Sequence, residues 1–232
     1  MFSFTGIIYL SITTFLGAFV YRLVKVFQKQ RSDVAKLFLY GFIIFFIFCF
    51  IATIITLFFP YSFSALKITV LAAILLQSLG SMFLTQALFP LIFPKIPLKL
   101  IQGFIIILIL IAGILYYFSG HFPFLEPNGF INWNIPFLVG GIRFLIMAPF
   151  FVPALFVFFR QIKSENKEVR KKAIIFTVGL GVGLIFIALL FLFTKGSGIV
   201  EAVTLFFAIF ILGFLTTLPK EPKSLKLGKI NE

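Results

Sequence analysis

Apolar residues fall in long unbroken blocks along this chain, and polar residues gather in the short stretches between them. A membrane-crossing helix needs about 20 apolar residues. Seven blocks reach that length, at 4–26, 37–59, 68–93, 100–118, 137–159, 173–193 and 199–218. The third could also end at Pro90, leaving Pro94 and Pro97 to the following loop. Lipid tolerates only helices or closed barrels, and these blocks are too long for barrel strands. The pattern therefore predicts an all-α, polytopic bundle of seven transmembrane helices over residues 1–218, followed by a short basic tail at 219–232.

The polar stretches alternate in charge. Arg22, Lys25, Lys29, Arg31 and Lys36 close the first block or follow it, and Lys95 and Lys99 follow the third. Arg160, Lys163, Lys167, Arg170, Lys171 and Lys172 follow the fifth, and Lys220, Lys223, Lys226 and Lys229 follow the seventh. These are 17 of the 20 basic residues, all on one side of the bundle; Lys67 and Lys195 lie on the other, and Arg143 lies within a block. The positive-inside rule then puts the N-terminus outside and the C-terminus in the cytoplasm of a cell-membrane protein. The first block has no basic residue ahead of it, the reverse of a cleavable signal, so it is expected to be a retained helix. Tyr21 and Tyr40 at the basic side, and Tyr61, Tyr116, Tyr117 and Trp133 at the other, are expected as interfacial anchors.

Composition agrees. Of 232 residues, 61% are hydrophobic and 12% charged, against roughly 25% charged in a soluble domain. A net charge of +13 in a soluble chain would suggest nucleic acid. Here the charges serve orientation, so no nucleic-acid partner is expected. The expected partners are the bilayer, anionic lipid at the basic loops, and a separate signalling protein or a second copy of the chain. Abundant Phe, Ile and Lys fit an A·T-rich prokaryotic genome.

The longest loop on the less basic side, 119–136, has no Lys or Arg and contains Pro127, Asn128 and Gly129 as turn formers. It is long enough to cover the mouth of a bundle. It also carries His121, Glu126 and Trp133. The single cysteine, Cys49, and single histidine offer no metal-ligand spacing, so no metal or cofactor is expected. No internal repeat is evident.

Arg143 is the outstanding polar residue. A fifth helix beginning near Asn134 to Pro136, with Asn as cap, places Arg143 roughly 10 Å into the hydrocarbon. There it must face the bundle or a water pocket, or reach the headgroups along its own stem. Glu201 is its natural partner, about one turn into a seventh helix capped by Ser197; the alternative is a carboxylate resting at the positive end of its own helix. Gln77, Ser81 and Thr85, spaced by four with Ser78 beside them, form a polar stripe that either glues helices together or lines a cavity. Gly179 and Gly183 have the spacing of a close-packing motif. Pro149 and Pro153 make the fifth helix either a hinge or a fixed bend.

The blocks lack paired carboxylates at membrane depth, a nucleophile-elbow string and a zinc-binding His-Glu-x-x-His string. The layout, with the basic run and Gly-bearing helix RQIKSENKEVRKKAIIFTVGLGVG, resembles the N-terminal seven-helix sensor region of some bacterial histidine kinases. The resemblance covers most of the chain and carries over no catalytic residues. Such sensors continue into PAS or kinase domains, whereas 14 residues follow Leu218. The resemblance therefore implies a stand-alone sensor-like domain acting through a partner.

Three functions are compatible with this sequence. The first is a non-enzymatic sensor or interaction module, with a ligand or lipid held under loop 119–136 by Arg143, Glu201, Gln77, Ser81, Thr85 and Trp133. The second is a small transporter or channel using Arg143 for an anionic substrate. The third is a lipid-modifying enzyme using His121 and Glu126.

Overall fold

Helix ends in this chain are set by small polar caps rather than by the limits of the apolar blocks. The computed structural model describes residues 3–190, 197–201, 203 and 204. Helix α1 (Phe4–Gln30) starts behind Ser3, whose hydroxyl accepts from the Gly6 amide at 3.3 Å. It stops at Arg31, which adopts a left-handed φ of 47° and donates its amide to the Phe27 carbonyl. Ser32 then caps α2 (Asp33–Phe58) through the Ala35 amide, with Asp33 in the positive first turn. Ser62 caps α3 (Phe63–Ala72) in the same manner. A π-helical turn (Ala73–Gln77) joins α3 without a break to α4 (Ser78–Ile92). Helices α5 (Leu98–Phe118), α6 (Phe137–Gln161) and α7 (Lys167–Ala188) follow, and 198–201 and 203–204 are again helical.

Helices α2, α3 and α7 thus begin four to six residues before the blocks at 37, 68 and 173. Hydropathy marks the stretch that suits lipid, whereas the cap marks where the helix can begin. Among the described residues, five helical stretches are long and apolar enough to cross a membrane. They are Phe4–Lys29, Asp33–Phe58, Phe63–Ile92, Leu98–Phe118 and Phe137–Gln161. Helix α7 covers most of the sixth block; its last residues, most of the seventh block and the basic tail lie outside the described residues.

The chain folds as a helical bundle. Helix α2 packs against α1 and α4, and α6 packs against α4, α5 and α7. The core joins Tyr9, Phe48, Leu66, Ile74, Ile105 and Ile146. Outward-facing Ile107, Leu110 and Ile114 on α5 are more than half exposed, an apolar exterior suited to acyl chains rather than water.

The two ends of the bundle differ. At one end α2, α4 and α6 meet through Leu37, Phe38, Ala87, Leu88, Phe150 and Ala154. Deeper toward the middle, α2 and α4 cross at Gly41 and Gly80: a Cβ on Gly41 would lie 2.9 Å from Leu84, and one on Gly80 would lie 3.1 Å from the Gly41 carbonyl oxygen. Such close approach is how small residues hold membrane helices together. A Cβ on Gly183 would meet nothing within 4 Å among the described residues, so that glycine of the α7 motif makes no close helix contact there. Pro149 and Pro153 sit inside α6, which runs through both.

The other end carries the only strands among the described residues. Strands β1 (Phe124–Leu125) and β2 (Ile131–Asn132) pair antiparallel around a turn in which Gly129 has φ 82°. The hairpin is pinned to α1. Phe4 donates its amide to the Gly129 carbonyl at 2.8 Å, and the Ile131 amide donates to the Thr5 hydroxyl at 2.9 Å. The Phe4 and Phe130 rings stack. A Cβ on Gly198 would collide with the Ile131 carbonyl, so the last helical segment also starts against this hairpin. Lys67, from the start of α3, donates to the Tyr117 carbonyl at 2.9 Å and lies over the Phe122 ring.

Candidate functional site

Beneath the hairpin lies a cavity of about 260 Å³, walled by α1, α2, the α3–α4 run, α6 and the last helical segment. Its polar residues gather at the hairpin end. Tyr9 comes from the second turn of α1, 3% exposed, and its hydroxyl donates to Glu201 Oε1 at 2.6 Å. Trp133 follows β2 and points into the bundle, donating its indole N–H to Glu201 Oε2. The Tyr9 ring stands edge-on to both Trp133 and Phe48. Glu201 is held one turn into its helix, where its amide donates to the Ser197 carbonyl at 3.0 Å. One carboxylate therefore ties together α1, the hairpin and the last helical segment.

Arg143 faces this cavity from two turns into α6, 6% exposed, and donates from Nη2 to Gln77 Oε1 at 2.5 Å. Gln77 is the last residue of the π-helical turn. Such turns insert an extra residue into a helix and often occur at functional sites. Ser81, one α-helical turn further on, also lines the cavity. Beyond it the wall is apolar, built from Leu16, Phe42, Phe45, Phe150 and Phe151.

Of the residues singled out in the sequence, Arg143, Glu201, Gln77, Ser81 and Trp133 come together at this cavity. Thr85 does not line it; its hydroxyl donates to the Ser81 carbonyl on its own helix. His121 and Glu126 serve the loop instead. His121 Nδ1 pairs with Asn134 Oδ1 at 3.3 Å, while Glu126 accepts from the side-chain amides of Asn128 and Asn132. Asn134 has φ 46° and is committed to His121 and the Phe122 carbonyl, leaving Pro136 as the N-cap of α6. Trp133 and Tyr116 are buried rather than interfacial, whereas Tyr21, Tyr40, Tyr61 and Tyr117 are exposed. The hairpin folds Trp133 inward, and Tyr116 faces the core from α5.

The residue that sequence reading missed is Tyr9. The available signal was a phenol deep in an apolar block, which needs a polar partner when buried. Comparison with family models, curated proteins and solved structures gives no match.

Proposed function

We propose that the chain is a non-enzymatic membrane sensor or interaction module whose ligand occupies the cavity under the hairpin. The reading includes seven spans, the N-terminus and hairpin outside the cell membrane, the basic connections in the cytoplasm, and a separate signalling protein as partner. One observation carries it: ionisable Arg143 and Glu201 are buried and hydrogen-bonded on the wall of a cavity, within a bundle whose helices are long and apolar enough to cross a membrane. Ionisable groups there are costly and ordinarily mark function. The same carboxylate links hairpin, α1 and last helical segment, so a ligand against it would bear on all three. Proline-bearing α6 leads from Arg143 toward the basic run at 160–172. A carboxylate, Glu201, in the same cavity wall as Arg143 speaks against an anion transporter. The divided hydrogen bonding of His121 and Glu126 speaks against a lipid-modifying centre.

Topology is tested in a Cys49→Ala background carrying single cysteines at Asn128 or Ser164. An impermeant maleimide applied to intact cells labels the first and spares the second; the opposite pattern overturns the orientation. The ligand reading is tested by native mass spectrometry of protein released from membranes. The wild type carries a bound small molecule that the Arg143→Leu/Glu201→Leu double variant lacks. Equal mass adducts on both would remove the site from the account.

A further inference from the structure

The chemistry of the cavity wall narrows the ligand class, and this step rests on the ligand reading above. The cavity is larger than the roughly 150 Å³ of an engineered apolar cavity that takes up benzene. Its deeper wall of Phe42, Phe45, Phe150 and Phe151 offers contact to an apolar body and no charge. Its polar end holds one basic and one acidic side chain, both already hydrogen-bonded: Arg143 to Gln77, and Glu201 to Tyr9 and Trp133. A charged ligand would add a charge to a site whose own basic and acidic side chains are already engaged, and unmatched charge in such surroundings is heavily disfavoured.

Two further groups are suited to an uncharged oxygen. Ser81 is 1% exposed and lines the cavity, and its hydroxyl has no hydrogen-bond partner among the described residues. Gln77 uses its carbonyl oxygen for Arg143, and its amide N–H groups have no partner among the described residues. The two lie one turn apart on the same helix face. Together they provide donors from Gln77 and a donor-acceptor hydroxyl from Ser81.

We infer that the cavity takes a small uncharged amphiphile, its apolar body against the phenylalanine wall and its hydroxyl or carbonyl oxygen between Gln77 and Ser81. The chain's single tryptophan, Trp133, stands in the cavity wall and reports occupancy directly.

The test uses the full chain in phosphatidylcholine nanodiscs, titrated with n-octanol, octanoate and octylammonium at neutral pH while Trp133 emission is read. These probes share a tail and differ in head charge. Octanol is expected to give a saturable change, with octanoate and octylammonium at least about tenfold weaker. Ser81→Ala is expected to weaken octanol by about three- to tenfold. Should that variant not fold, Gln77→Met tests the other contact. Ala73→Leu, which fills the cavity from the π-helical turn, is expected to abolish the saturable change and leave only linear partitioning into lipid. Equal or tighter binding of octanoate overturns the uncharged class and keeps the cavity as a ligand site. Octanol binding unaffected by Ser81→Ala and Gln77→Met overturns the placement of its oxygen. Failure of every probe to saturate the folded wild type overturns both this inference and the ligand reading beneath it.

Discussion

The two ends of this bundle are held together by different physics. At the hairpin end, residues far apart in sequence meet through specific hydrogen bonds: the Tyr9 and Trp133 side chains to Glu201, Arg143 to Gln77, and the Ile131 backbone amide to Thr5. Away from it, α2 and α4 press together at glycine, and Leu, Ala and Phe fill the remaining space. Among the described residues, shape holds the second region, and several apolar side chains could serve it. The first needs particular atoms in particular places, because each buried polar group left without its partner is expensive in lipid. A protein that needed only to fold could use the second kind of packing throughout. The polar end is the part that needs explaining by function.

Substitutions that break the polar end should therefore cost more than those that disturb the packed end. The largest effect is expected for Glu201→Ala, which removes the acceptor of both the Tyr9 hydroxyl and the Trp133 indole. It should lower unfolding stability in detergent by about 3–5 kcal/mol. Arg143→Leu/Glu201→Leu should recover part of that loss, because both ionisable groups then leave the cavity wall together; a double variant no better than the single one would refute a coupling between them. Next comes Trp133→Phe, which keeps the ring packing and removes one donor to a carboxylate, at about 1.5–3 kcal/mol in the same assay. Gly80→Val forces a branched side chain against the Gly41 carbonyl and Phe45, at about 1–3 kcal/mol. The smallest effect is expected for the Thr13 and Thr53 hydroxyls, 3.0 Å apart between α1 and α2. A double-mutant cycle with Val at each should give a coupling of about 0.6 kcal/mol. A Thr coupling exceeding the Trp133→Phe loss would put an ordinary interhelical hydroxyl pair above the carboxylate network and contradict this ranking.

The sequence made the helical, membrane-embedded class plain because block length is a one-dimensional property, readable without knowing any contact. It also made Arg143, Glu201, Gln77 and Ser81 visible, since a polar residue in an apolar block stands out wherever the helices lie. What it could not supply was who meets whom. Tyr9 looked like one more aromatic residue in a chain with 37 Phe, and its role exists only because α1 and the last helical segment meet. Trp133 read as an interfacial anchor because its inward direction depends on the hairpin register Leu125↔Ile131. The π-helical turn at Ala73–Gln77 has no compositional signature in AILLQ. Helix starts were displaced because Ser32 and Ser62 act through one backbone hydrogen bond each, which hydropathy does not register.

The account turns on whether the space between Arg143, Gln77, Ser81 and Trp133 receives a ligand. The most direct measurement is an experimental structure of the chain in lipid, inspected at that space. The account predicts Arg143 turned inward on Gln77, Glu201 between Tyr9 and Trp133, and a compact non-protein molecule lying along Phe45 and Phe150. Arg143 turned to the headgroups, with the interior closed by phenylalanine and leucine, would contradict it and leave a purely structural bundle.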